Sequence, residues 1–262
     1  SRAISFVIAG GVIAAFAGPE LAKGTHDLIE GTDFLGSYLI LGGLGVVGMA
    51  LVTALKIPAP SAEERGDSGR PLSEIVRQPS LVIAILVGMI AYGTMILLMT
   101  ATPLAMIGNG FHIDDASFVI QWHMVAMFAP AFFTGSIIHR FGVDKVMVTG
   151  TVLLGLAITA ALSGDQIIHF WVALFTLGLG WNFAFIGAST LLTETYQPSE
   201  KGKVQALNDF MVFGMVSVAS LTSGTILYFL DWRAVNFAAI PAIAVALIAT
   251  LWLWNLRRSA RA

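Results

Sequence analysis

Three polar side chains lie inside long apolar stretches of this sequence and are the first candidates for chemistry: His123, Asn182 and Asp209. His123 follows Gln121 and Trp122 and shares a helical stripe with Met127 and Pro130, at i+4 and i+7. An imidazole there can carry a proton near neutral pH or sit neutral against a backbone carbonyl, and the neutral form is the expectation. Asn182 follows Trp181 and shares a face with Gly178, Phe185 and Ser189, offering an amide and aromatic surface to a ligand, or an amide that ties two helices together. Tyr92, Met95 and Met99 recur at i, i+3 and i+7, an adaptable apolar wall with one hydroxyl that serves either a pocket or helix packing. Asp209, next to Asn208, is the only Asp or Glu well inside an apolar run. It lies about 9 Å along a helix from Lys203, which suits a gate with Lys203 or Arg140, or a proton-coupling role.

Enzyme chemistry finds little support. His26, His112, His123, His139 and His169 are scattered, with no His-x-x-x-His pair, no clustered carboxylates and no Cys. A strained Gly-x-Ser-type turn and a phosphate-cradling Gly-rich loop ending in Lys and Ser or Thr are both missing. The expectation is a protein that is not an enzyme and holds neither metal nor cofactor. With 14 Lys and Arg against 16 Asp and Glu there is no basic excess to neutralise phosphates, so nucleic acid is not an expected partner.

The elements that hold these residues follow from composition. Only 11% of the 262 residues are charged and 56% are hydrophobic, with a mean hydropathy of +0.82. Soluble domains carry about 25% charged residues, so this chain cannot coat a globule in water and its partner is a lipid bilayer. Eight apolar runs reach helix-spanning length: Ala3–Leu21, Leu35–Leu55, Ser80–Thr102, Ser117–Ile138, Val146–Leu162, Ile167–Leu192, Val204–Leu230 and Ala234–Trp254. They are continuous rather than alternating, which predicts an all-α membrane protein with eight transmembrane helices and excludes an outer-membrane barrel.

Eight crossings put both ends on one face. That face carries Arg2, Lys56, Arg65, Arg70, Arg77, Arg140, Lys145, Lys201, Lys203, Arg257, Arg258 and Arg261, against Lys23 and Arg233 on the other. Basic residues favour the cytoplasm, so both ends are expected there, in the cell (inner) membrane. Residues 56–78 are polar and rich in Pro and Gly, and read as a cytoplasmic linker between residues 1–55, with two spans, and residues 79–262, with six. Within it Leu72, Ile75 and Val76 have the spacing of a short amphipathic surface helix. The chain starts at Ser1 without an initiator Met and reads as the later part of a longer protein.

Two spans, a polar linker and six spans resemble the major facilitator superfamily from its fifth transmembrane helix to the end. Two motifs carry the resemblance. Gly10, Gly11, Gly18 and Pro19 are similar to the Gly-Pro motif of the family's fifth helix, with Ala22 and Lys23 where a Gly pair usually follows. The segment from Gly135 to Lys145 is similar to the family's Gly-x-x-x-Asp-Arg-x-Gly gating loop: Gly135, Arg140 and Gly142 match, and His139 stands in the acidic position. The resemblance implies that residues 79–262 form the C-terminal half-bundle of two three-helix repeats of inverted topology, and that residues 1–55 supply the last two helices of the other half. It implies a secondary transporter working by alternating access on a small organic solute, proton-coupled, completed by four further helices ahead of Arg2. The alternatives are a non-transporting scaffold or sensor and an intramembrane enzyme. It further implies a cavity lined by the third and sixth spans, which tips Asn182 toward a ligand. The substrate-binding candidates are then Tyr92, Met95, Met99, His123, Trp181, Asn182 and Phe185, and the gating or coupling candidates His139, Arg140, Asn208 and Asp209. No Lys or Arg lies inside the runs to select an anion, so a neutral or amphipathic solute is expected.

Overall fold

The computed structural model describes residues 2–25, 27–29, 31–32, 34–55 and 69–259, with side chains from residue 10 onward. Among these residues every regular element is helical: α1 (Arg2–Thr25), α2 (Leu35–Thr53), α3 (Leu72–Ile75), α4 (Pro79–Gly108), α5 (Ile113–Phe128), α6 (Ala131–Phe141), α7 (Val143–Leu162), α8 (Ile167–Thr193), α9 (Lys201–Phe229) and α10 (Trp232–Ser259), with a 3-10 turn at Pro198–Glu200. Six of them, α2, α4, α7, α8, α9 and α10, are long and apolar enough to cross a membrane. The bent pair α5 and α6 makes a seventh if it forms one crossing. The 24-residue α1 carries Glu20 and Lys23 near its end.

The run from Ser117 to Ile138, one apolar stretch by hydropathy, is two helices in the structure. It bends by 41° between α5 and α6. Pro130 explains the break, because it has no N–H to donate to the preceding turn and its ring crowds that turn's carbonyl. At the next corner α6 passes into α7 through one residue, Gly142, whose φ of 92° only glycine takes without strain.

Packing centres on α4 and α8, which touch each other and carry most of the bundle's remaining contacts. α8 also packs on α5 and α7, and α4 on α9 and α10, while α7 meets α10. Exchanging α4 with α8, α5 with α9 and α7 with α10 maps this set of contacts onto itself. Two three-helix sets of like architecture are therefore present. With α5 and α6 counted as one crossing each set has three, an odd number, so the second set then runs with the opposite sense to the first. The core between them is apolar, with Leu98, Met106, Leu154, Leu174, Leu177 and Leu191 at 1% exposure or less. α7 and α8 approach almost backbone to backbone: a Cβ on Gly180 would stand 2.9 Å from Leu154 N and 3.0 Å from Gly150 O.

Outside this body, α1 packs along α5, and α2 is buried over only 6% of its apolar window where α4 is buried over 72%. Residues 56–68 of the expected linker lie outside the described residues. Its remaining part is docked on the bundle end: α3 buries Ile75 completely instead of resting on the membrane surface.

Candidate functional site

Four aromatic side chains from three helices meet in one cluster. Tyr92 on α4 stands edge-on to Trp181 and Phe185 of α8, at ring-centroid distances of 5.4 and 5.2 Å, and to Phe213 of α9 at 6.1 Å. Trp181 and Phe185, one turn apart, stack at 5.1 Å with an 11° interplanar angle. Trp181 is buried, Tyr92 and Phe185 are half-buried and Phe213 is exposed, so the cluster opens from the bundle core toward an uncovered face. The indole Nε1 of Trp181 is buried with no hydrogen-bond partner among the described residues. The cluster thus offers flat apolar surface with an indole N–H and a phenol hydroxyl, chemistry suited to a planar ring system.

The sequence candidates divide at this point. Tyr92, Trp181 and Phe185 come together, although they lie on two helices about 90 residues apart. Met99, two turns along α4 from Tyr92, is half-buried, whereas Met95 is packed in the core at 2% exposure. His123 is fully buried between α5 and α8, its Nδ1 2.7 Å from Leu174 O and its Nε2 without a partner among the described residues. Asn182 is fully buried as well and spends both ends of its amide inside the bundle: Nδ2 donates to Met127 O at 2.6 Å and Oδ1 accepts from Thr134 Oγ1 at 2.6 Å. These bonds tie α8 to both sides of the Pro130 break.

The gating candidates lie at the basic end of the molecule. His139 and Arg140 are exposed on the last turn of α6, with the Arg140 guanidinium 5.3 Å over the Phe141 ring. Asp209 is exposed on α9 and accepts a hydrogen bond from Asn208 Nδ2 at 3.1 Å. It shows no ion pair with Arg140 or Lys203. Lys203, six residues away, points about 120° round the helix from it and donates to Arg70 O. Asp209 does share a face with Phe213, one turn further along, which puts the carboxylate next below the aromatic cluster.

Two ionic networks at the basic end were not foreseen. Arg70 grips the buried Glu200 through Nε and Nη2, both at 2.8 Å, and its backbone N–H adds a third bond at 2.9 Å. Hydrogen bonding to that carboxylate pushes Arg70 above its ordinary pKa, so the cation stays charged. Arg257 bridges Asp144 at 3.1 Å and Glu194 at 2.6 Å, joining α10 to the start of α7 and the end of α8. At the opposite end Lys23 of α1 pairs with Asp114 of α5 at 2.8 Å, and Gln121 Nε2 donates to Glu20 at 2.9 Å. Phe213 was also missed, since nothing in the spacing of α9 marks it. Its position one turn after Asp209 was the available signal.

Comparison with known proteins agrees with this architecture. Residues 84–262 match the family model described as Major Facilitator Superfamily. The riboflavin transporter RfnT of Brucella anthropi is 42% identical over 250 residues, covering 95% of this chain and 63% of that protein. Two uncharacterized MFS-type transporters of Bacillus subtilis, YdeG and YddS, are 26% and 22% identical, and the chain again spans 63% of each. No solved structure matches significantly. The family match takes in the two three-helix sets and the aromatic cluster between them, and the chain belongs to the major facilitator superfamily of membrane transporters.

Proposed function

We propose that this protein carries a flat, uncharged heteroaromatic solute of the riboflavin kind across the inner membrane by alternating access, with the aromatic cluster as one wall of its site. The observation that carries the reading is the meeting of Tyr92, Trp181, Phe185 and Phe213 across three helices. A tricyclic ring stacks on such a surface, and the half-buried phenol hydroxyl can donate to its ring carbonyls and nitrogens. The 42% identity to a riboflavin transporter supports the same solute class.

In this reading α1 and α2 belong to a first half whose further helices complete the opposite wall, with residues 56–78 joining the halves. Asp209, exposed one turn below Phe213, acts as cytoplasmic gate or proton carrier beside the site, and His139 and Arg140 belong to the gating loop. The Lys23–Asp114 pair latches α1 to α5 on the outer face. The excess of Lys and Arg at the other end supports a cytoplasmic position for residues 2 and 259.

The deciding experiment is flux of labelled riboflavin into vesicles that contain the whole transporter. Saturable uptake above empty vesicles, with a KM raised by Trp181→Ala, supports the reading. Uptake no faster than in empty vesicles rejects the solute class.

A further inference from the structure

On the side of the bundle away from α1, the start of α7 and the last turns of α10 enclose a cleft of about 460 Å³ at the basic end, lined by Phe141, Gly142, Asp144, Lys145, Trp254 and Arg258. Asp144 does not hold the cations of this cleft, because Arg257 already occupies its carboxylate and also takes Glu194. Lys145 and Arg258 are both exposed and have no ion-pair partner among the described residues. Lys145 also stands in the first turn of α7, where the helix macrodipole is positive and the leading N–H groups lack helical acceptors. Cation and amides both call for an anion.

What surrounds the cations identifies the kind of anion. Lys145 heads a stripe on α7 that continues through Thr149, Val152 and Leu156, all exposed. Arg258 heads a matching stripe on α10 through Trp254, Leu251 and Leu247, none of them fully buried. Eleven residues of helix span about 16 Å, roughly one leaflet's share of a 30 Å hydrocarbon layer. Each stripe therefore begins with a cation at headgroup depth, and the Trp254 indole, with Phe141 across the cleft, lies where amphipathic rings gather at a membrane surface.

We propose that this cleft binds the phosphodiester headgroup of an anionic phospholipid of the phosphatidylglycerol or cardiolipin type, with acyl chains lying along the two apolar stripes. The shape favours a lipid over free phosphate, since a free anion would gain nothing from about 16 Å of adjoining apolar face. The proposal is independent of the transported solute, because α7 and α10 meet on the side of the bundle away from the aromatic cluster.

The test is the amount of phosphatidylglycerol retained by the full-length transporter after purification from mixed phosphatidylglycerol and phosphatidylcholine vesicles. Each basic residue near an anionic headgroup is worth about a fivefold preference, so Lys145→Gln with Arg258→Gln is expected to weaken retention by about 25-fold. The exchange Lys145→Arg with Arg258→Lys is expected to keep it, which separates lost charge from lost fold. Lys201→Gln with Arg77→Gln, at the same end but outside the cleft, is expected to leave retention unchanged. Undiminished retention in the first variant, or equal loss in the third, overturns the proposal. Displacement of the lipid by inorganic phosphate alone overturns the choice of a lipid.

Discussion

Asn182 donates its amide to the carbonyl of Met127 just ahead of the break at Pro130, and the same side chain accepts from Thr134 just beyond it. One buried amide thus clamps both arms of a bent helix to α8. Asn182→Leu leaves the Met127 carbonyl and the Thr134 hydroxyl competing for partners in a medium without water. The expected loss is about 1 kcal/mol per bond, read as a lower thermal midpoint and lower membrane abundance of the purified transporter. Unchanged abundance with impaired solute affinity would instead return Asn182 to the binding site.

Substitutions in the aromatic cluster are expected to act in the opposite way. Phe185→Ala removes a half-buried ring from a stack with Trp181, at a cost to solute binding of about 1 kcal/mol, or about fivefold in affinity. Tyr92→Phe keeps the edge-to-face contacts and is expected to bind more weakly only those solutes with an acceptor for its hydroxyl. Equilibrium binding to the detergent-solubilised transporter measures both.

Asp209→Asn separates gate from proton carrier. A coupling carboxylate is required for accumulation driven by a pH gradient and dispensable for solute exchange at equal pH. A gate residue leaves the pH response and shifts the inward and outward balance. Wild-type behaviour in both assays removes Asp209 from the mechanism.

At the end of the bundle opposite the basic one, Lys23→Asp brings three carboxylates, Glu20, Asp114 and the new one, into one small volume and is expected to loosen α1 from α5. Adding Asp114→Lys restores the opposite charges. A cysteine crosslink between the two helices is expected to form slowly in the single variant and at the native rate in the double exchange.

Sidedness can be read directly, because the chain has no native Cys. Lys201→Cys is expected to react with an impermeant thiol reagent only from the cytoplasm, and Asp165→Cys only from outside. The reverse pattern contradicts the orientation taken from Lys and Arg.

Much of the helical architecture was legible because a bilayer leaves so few ways to satisfy a backbone. An uninterrupted run such as Ile167–Leu192 has to be a helix, and the structure ends it at Thr193. Hydropathy is blind to hydrogen bonding along the chain, however, so it gave no measure of the 41° bend at Pro130. Tyr92, Trp181 and Phe185 could be listed from their faces, but their meeting depends on how α4 packs on α8. Phe213 joins them only through the position of α9. The Arg70–Glu200 pair spans 130 residues and left no local pattern to find. Asn182 was the instructive case, since the residue type fits both a ligand site and a helix clamp, and its two buried partners lie on another part of the chain, where no local pattern points to them.

The backbone approach at Gly150 and Gly180 sets what can move. Two helices meshed that closely have no side-chain cushion to slide on, so α7 and α8 travel as a single lever during any rearrangement of the bundle. Trp181 and Phe185 sit on one arm of that lever and Lys145 on the other. A displacement of the aromatic wall is therefore felt at the membrane-facing cleft, and drag on the cleft is felt at the wall, with no signalling element between them.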